Sequence, residues 1–186
     1  MIYPFEALTK IQISLLALVL LFASANVQAH ELTSSKKAGT TSSMLIGEVS
    51  SEKLLSDYPK FQHHYDSYEV SESDIAWLKK IEKKISIIVL FGAWCHDSQR
   101  EVPRFIKILE QHPNPLIDVQ YVAVNYKKQD EQGVAKKHKL KYTPTFVVLE
   151  DDVEIGRIVE QPESSLAQDL FVITNNDAQE KLLSAM

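Results

Sequence analysis

The sequence predicts an α/β domain: a central mixed β-sheet flanked by helices, with an N-terminal helical extension in front of it. Three observations carry this. Ile85 to Phe91 is an unbroken apolar run of strand length, too continuous to be half exposed, which suits a central strand buried on both faces. Segments with apolar residues every three or four positions alternate with runs of this kind, in the order βαβαββα. Glu150-Asp151-Asp152 separates the last two strand-like runs as a turn would, so they read as a hairpin.

Between Met44 and Val70, residues Leu54, Leu55, Tyr58, Phe61, Tyr65 and Tyr68 mark a helical stripe that breaks near Pro59. Ser71 or Ser73 then supplies an N-cap for a helix with Ile75, Leu78 and Ile81 on its inner face and Trp77 beside them. After the strand Ile85–Phe91, residues Asp97 to Gln111 place Val102, Phe105, Ile106 and Leu109 on one helical face. Pro103 lies inside that helix, where it removes a backbone donor, so a kink is expected. Val119 to Val124 reads as a strand and Glu131 to His138 as a short helix. Thr145–Leu149 and Glu154–Val159 are the hairpin strands. Ser164 or Ser165 caps a final amphipathic helix carrying Leu166, Leu170 and Ile173, and later Leu182 and Leu183.

Lys10 precedes an apolar stretch from Ile11 to Ala25, and Val27-Gln28-Ala29 is a small-residue cleavage pattern. Residues 1–29 therefore read as an export signal cut after Ala29, which would place the chain in the periplasm or outside the cell. The apolar core is shorter than the ~20 residues needed to span a bilayer. An uncleaved signal acting as a membrane anchor is the alternative. Residues 30–43 are small and polar and read as a flexible linker, 44–69 as an N-terminal extension, and 70–186 as the main domain.

A formal charge of −5 over 186 residues leaves no electrostatic footprint for nucleic acid or an anionic membrane. Neither a nucleic-acid partner nor stable membrane association after signal cleavage is expected. The basic stretch Lys136-Lys137-His138-Lys139 with Lys141 reads as a solvated helix face, because Asp130 and Glu131 lie close and no aromatic residues are interleaved. The six histidines show no ligand spacing, and His63-His64 would point apart on a helix, so no metal is predicted. No phosphate-binding glycine loop is present.

The chain has one cysteine, Cys95, within Trp94-Cys95-His96-Asp97-Ser98 and directly after the predicted central strand. An exported chain with one thiol forms no disulfide within itself, so the thiol is free, bridges to another molecule, or is inert. Trp94-Cys95 opening a helix, Pro103 eight residues later, Thr143-Pro144 ahead of an apolar strand, and the closing hairpin and helix together resemble the thioredoxin-like superfamily. The resemblance runs from about residue 70 to the C-terminus. The longer string Trp94 to Phe105 further resembles a bacterial thioredoxin-family branch with a Cys-x-x-Ser motif.

The resemblance implies that Cys95 is the attacking nucleophile and that Pro144 is cis and shapes a client groove. It also implies that Trp94, Thr143 and Pro144 bind substrate. Ser98 stands where the family carries its resolving cysteine, and the acid that many members bury in the central strand is absent around Val89 and Leu90. A helix start favours a thiolate through its free N–H groups and dipole. Ser98 would support it with a hydrogen bond, and His96 and Asp97 would form its surroundings.

A thiolate attacks a disulfide to form a mixed disulfide. Serine cannot resolve that species, so a client thiol or an external thiol such as glutathione must, and no resident cofactor is predicted. The expected function is thiol–disulfide exchange of a monothiol kind, not dithiol thioredoxin activity. Expected partners are disulfide-bearing or glutathionylated clients and an external thiol reductant. The competing readings are a non-enzymatic client-binding module and a redox sensor that dimerises through Cys95.

Overall fold

A computed structural model describes residues 44–175. The stretches expected to be a signal (1–29) and a linker (30–43), together with Leu182 and Leu183, lie outside the described residues. The elements are β1 (Gly47–Glu48), α1 (Ser51–Asp57), α2 (Pro59–Ser67), α3 (Glu72–Leu78), β2 (Ile85–Phe91), α4 (His96–Gln111), β3 (Ile117–Ala123), α5 (Val134–Lys137), β4 (Thr145–Glu150), β5 (Val153–Val159) and α6 (Leu166–Thr174). The strands form one mixed sheet in the order β1-β3-β2-β4-β5. β2 runs parallel to β3 and antiparallel to β4, and the edge pairs β1–β3 and β4–β5 are antiparallel.

Strand alternation divides the interior into two cores. Ile85, Ile87, Val89 and Phe91 of β2 face a large cluster with Leu54, Phe61, Leu78, Val102, Phe105, Phe146 and Leu170. Leu90 faces the other way, toward a smaller cluster with Val122, Val147, Leu149 and Ala135 of α5. A strand that feeds both cores has no face for polar residues, which is why β2 reads as a continuous apolar run.

Three of the six helices among the described residues start at a serine cap. Ser50, Ser71 and Ser165 accept from the backbone N–H three residues on, at 3.1–3.2 Å. Pro59 is the first residue of α2, where its missing N–H costs nothing, and Tyr58 is the break between α1 and α2. α5 is shorter than the Glu131–His138 expectation. The Asp130 carboxylate accepts from Val134 N at 3.0 Å and Ala135 N at 2.7 Å, and Gly133 turns through a φ of +76°, so residues 131–133 form the turn. α4 continues through Pro103.

Residues 47–68 pack on the same sheet. β1 adds an edge strand to β3, and α2 lies against α4, where the Lys107 ammonium donates to Tyr65 O at 2.8 Å. Tyr65 Oη donates to Glu110 Oε2 at 2.6 Å, and this bond pushes the phenol up to about 12. β1 has no sequence signature, since two residues show no alternation.

Candidate functional site

The site forms where β2 ends and α4 begins, at the C-terminal end of the parallel pair β2–β3. Gly92-Ala93-Trp94 makes the turn, and Cys95 is the N-cap of α4 in an extended conformation (φ −84°, ψ 128°). Its N–H donates to Gly92 O at 2.9 Å and its carbonyl accepts from Gln99 N at 3.0 Å, so the backbone on either side of the sulfur is fixed. Cys95 is half-buried, and its side chain caps no N–H of the helix. The thiol instead donates to the carbonyl of Thr143, at 3.1 Å.

Of the residues expected at the site, Trp94, Thr143 and Cys95 come together. The Trp94 indole N–H donates to Val124 O at 3.1 Å, and its ring stacks on Tyr126 with centroids 5.0 Å apart. The Thr143–Pro144 peptide is cis. Thr143 and Pro144 are buried, whereas the neighbouring Tyr142 and Tyr126 are 54% and 67% exposed. Exposed apolar surface next to the residues that hold the sulfur is therefore offered by Tyr126, on Trp94, and by Tyr142, next to Thr143, with Trp94 between buried and exposed.

Ser98 is fully buried, and its hydroxyl oxygen accepts from Gly92 N–H at 3.2 Å. No hydrogen bond joins it to the sulfur among the described residues; it ties the first turn of α4 back to the end of β2. Asp97 turns along the helix to pair with Arg100 at 2.9 Å. His96 is exposed and makes no hydrogen bond to Cys95. Its charge acts toward His64, which is held below its ordinary value first by burial and then by His63, Arg104, His96 and Arg100. Behind this face Glu101, 3% exposed, accepts from Arg100 at 2.5 Å and Arg104 at 3.2 Å. Its hydrogen bond is the main reason the Arg100 guanidinium is raised. Among the described residues no group of three or more His, Cys, Asp or Glu side chains is placed to hold a metal ion.

Three residues beyond those read from the sequence shape the site. Gln99 donates to Ala93 O at 2.8 Å, Tyr126 stacks on Trp94, and Gly92 joins the turn to the helix. A Cβ at Gly92 would lie 2.6 Å from the Trp94 ring, so only glycine allows the indole this approach. The signal for it was the pair of small residues between the apolar strand and Trp94. Gly92→Ala is expected to expel the indole, break its bond to Val124 and cost about 1–3 kcal/mol by overpacking. Denaturant unfolding and tryptophan emission check this, with Trp94→Phe as the reference for the Trp77 signal; unchanged emission would sink the close-approach argument.

No curated protein matches the chain. Among solved structures, a protein of unknown function from Pseudomonas aeruginosa is 19% identical with a TM-score of 0.44, covering 74% of this chain and 87% of its own. Mitochondrial thioredoxin 3 of Saccharomyces cerevisiae is 20% identical with a TM-score of 0.32, covering 66% and 99%. An Entamoeba histolytica thioredoxin mutant is 24% identical with a TM-score of 0.31, covering 61% and 93%. A family model described as thioredoxin matches residues 50–176, more than half of the chain. With Trp94-Cys95 at the start of α4 and Thr143-Pro144 against the sulfur, the chain belongs to the thioredoxin-like family.

Proposed function

We propose that this chain is an exported monothiol protein of thiol–disulfide exchange, with Cys95 as its nucleophile. The observation that supports this most is the setting of the only thiol. It is half-buried at a helix start and held toward Thr143 O at 3.1 Å, with the exposed Tyr126 ring on the neighbouring Trp94 and the exposed Tyr142 next to Thr143 in the chain. An inert structural cysteine would instead be enclosed in apolar packing.

The Cys95 thiolate attacks one sulfur of a client disulfide. A new S–S bond forms to Cys95, the old one breaks, and the departing thiolate takes up the proton that Cys95 gave to solvent. No net oxidation has occurred. A second thiol, from the client or from a small thiol such as glutathione, then attacks the mixed disulfide and releases Cys95. Ser98 takes no part in the sulfur chemistry; its role is to hold the turn through Gly92. The client lies across Trp94, Tyr126 and Tyr142, beside the backbone of Thr143, whose N–H takes no partner among the described residues. We further propose that serine at this place is shared by a bacterial branch of the family, and that the signal over residues 1–29 delivers the chain to the periplasm or beyond.

Incubation with a glutathionylated peptide tests the exchange. Mass spectrometry is expected to find up to one adduct per chain, none in Cys95→Ala, and release of the adduct on adding excess thiol. An unmodified wild-type chain under these conditions would leave the binding-module reading in place instead.

A further inference from the structure

The basic stretch that reads in the sequence as a solvated helix face is organised differently in the fold. Lys127, Lys128, Lys136, Lys139 and Lys141 line one open cleft of about 580 Å³ between the loop after β3 and the segment before β4. None of their ammonium groups has an ion-pair or hydrogen-bond partner among the described residues. The one acid in the lining is Asp130, and both of its oxygens are taken by the backbone N–H groups of Val134 and Ala135. Five cations therefore face a single carboxylate in the cleft, on a chain whose overall formal charge is −5.

The walls are fixed before anything binds. Asn125 Oδ1 accepts from Lys127 N at 2.8 Å and from Gln129 N at 3.1 Å. Lys128 and Lys139 hold left-handed conformations, with φ of +59° and +53°, which disfavour lysine relative to glycine or asparagine. Both ends of the cleft lead back along the chain to the sulfur site. Lys127 follows Tyr126, which stacks on Trp94, and Lys141 is two residues before Thr143, at most about 7 Å of chain.

We propose that this cleft binds the carboxylates of an acidic client segment lying beside the cysteine that Cys95 attacks; the proposal rests on the exchange reading above. A peptide crossing Tyr142 and Tyr126 continues over the lysines on one side, and several spaced cations suit several spaced carboxylates. The cleft then sets client choice and encounter rate, through attraction that salt screens.

The test uses single-cysteine peptides activated as 2-pyridyl disulfides, with four glutamates or four glutamines around the cysteine, and follows thiopyridone release. The acidic peptide is expected to react about tenfold faster at low ionic strength, and the excess to vanish in about 1 M salt, where the screening length is about 3 Å. Changing all five lysines to glutamine should bring the acidic-to-neutral ratio to one, and K127Q with K141Q should lower it partway if the fivefold variant does not fold. Lys79→Gln with Lys84→Gln, outside the cleft, should leave the ratio as it is. Equal rates for both peptides in the wild type overturn the proposal and leave the exchange reading standing. Anisotropy of the same glutamate peptide with serine in place of cysteine separates the two further. Lysine-dependent binding without any thiopyridone release keeps the cleft and sinks the exchange. Preference for an oligonucleotide of equal charge overturns the assigned occupant.

Discussion

Ser98→Cys is expected to convert the chain from one that needs a second thiol to release its client into one that releases it by itself. Ser98 lies in the first turn of α4, three residues after Cys95, and side chains at that spacing have Cβ atoms about 5–6 Å apart. A disulfide needs Cβ atoms about 3.5–4.5 Å apart, so closure asks for a shift of about 1–2 Å at the extended N-cap Cys95, which lies outside the helical ladder. The serine oxygen now accepts from Gly92 N–H at 3.2 Å, and sulfur is a weaker acceptor, so the substitution costs about 1 kcal/mol of stability. In return, resolution of the mixed disulfide becomes intramolecular. Effective concentrations for such steps far exceed those of a small thiol in solution, so insulin reduction driven by dithiothreitol should rise at least about tenfold over wild type. The wild-type chain, which relies on dithiothreitol for release, should stay well below S98C, and Cys95→Ala in the S98C background should return to the uncatalysed rate. A folded S98C chain that reduces insulin no faster than the wild type would show that position 98 is out of reach of the Cys95 sulfur.

The same residue marks what the sequence reveals and what it hides. Residue order along the chain exposes every feature that depends on local pattern. The run Ile85–Phe91 reads as a central strand because it feeds two cores, and residue type narrows the caps to Ser71 or Ser73 and Ser164 or Ser165, of which the fold uses Ser71 and Ser165. Partner choice across space is hidden. Ser98 is visible as a residue that cannot resolve a disulfide, but its bond to Gly92 follows from how sharply β2 turns into α4. Tyr126 is 32 positions from Trp94 in sequence and becomes its neighbour only because β3 lies beside β2. The lysines of the cleft are scattered over residues 127–141 among acids, and only the fold shows that these five share one cleft with the single carboxylate of Asp130. A two-residue edge strand such as β1 carries no period at all, so the attachment of residues 47–68 to the sheet was open on sequence grounds.

That attachment makes Phe61 the most consequential residue outside the site. Its ring is 1% exposed and meets Phe91 edge-on, with centroids 5.7 Å apart, and Tyr58 at 6.2 Å. Phe91 is the last residue of β2, and the turn that sets Trp94 and Cys95 starts at the next position. Phe61→Ala empties a space between α2 and the sheet that Leu54 and Val102, fixed in the same core, cannot close. The expected loss is about 3–5 kcal/mol, which for a domain of this size lowers the melting temperature by roughly 10–20 °C. Phe105→Ala, whose ring packs edge-on against Phe146 at 5.2 Å in the same cluster, serves as the internal standard. If residues 47–68 are an integral layer of the fold, the two variants lose comparable stability and unfold in one transition. A loss below about 1 kcal/mol for Phe61→Ala, within the range of an ordinary surface change, beside a full loss for Phe105→Ala would mean that the layer only leans on the domain. Because Phe61 supports the strand end that carries the turn, the variant should also slow adduct formation at Cys95 under conditions where it remains folded. A purely global defect would leave that rate unchanged in the folded fraction.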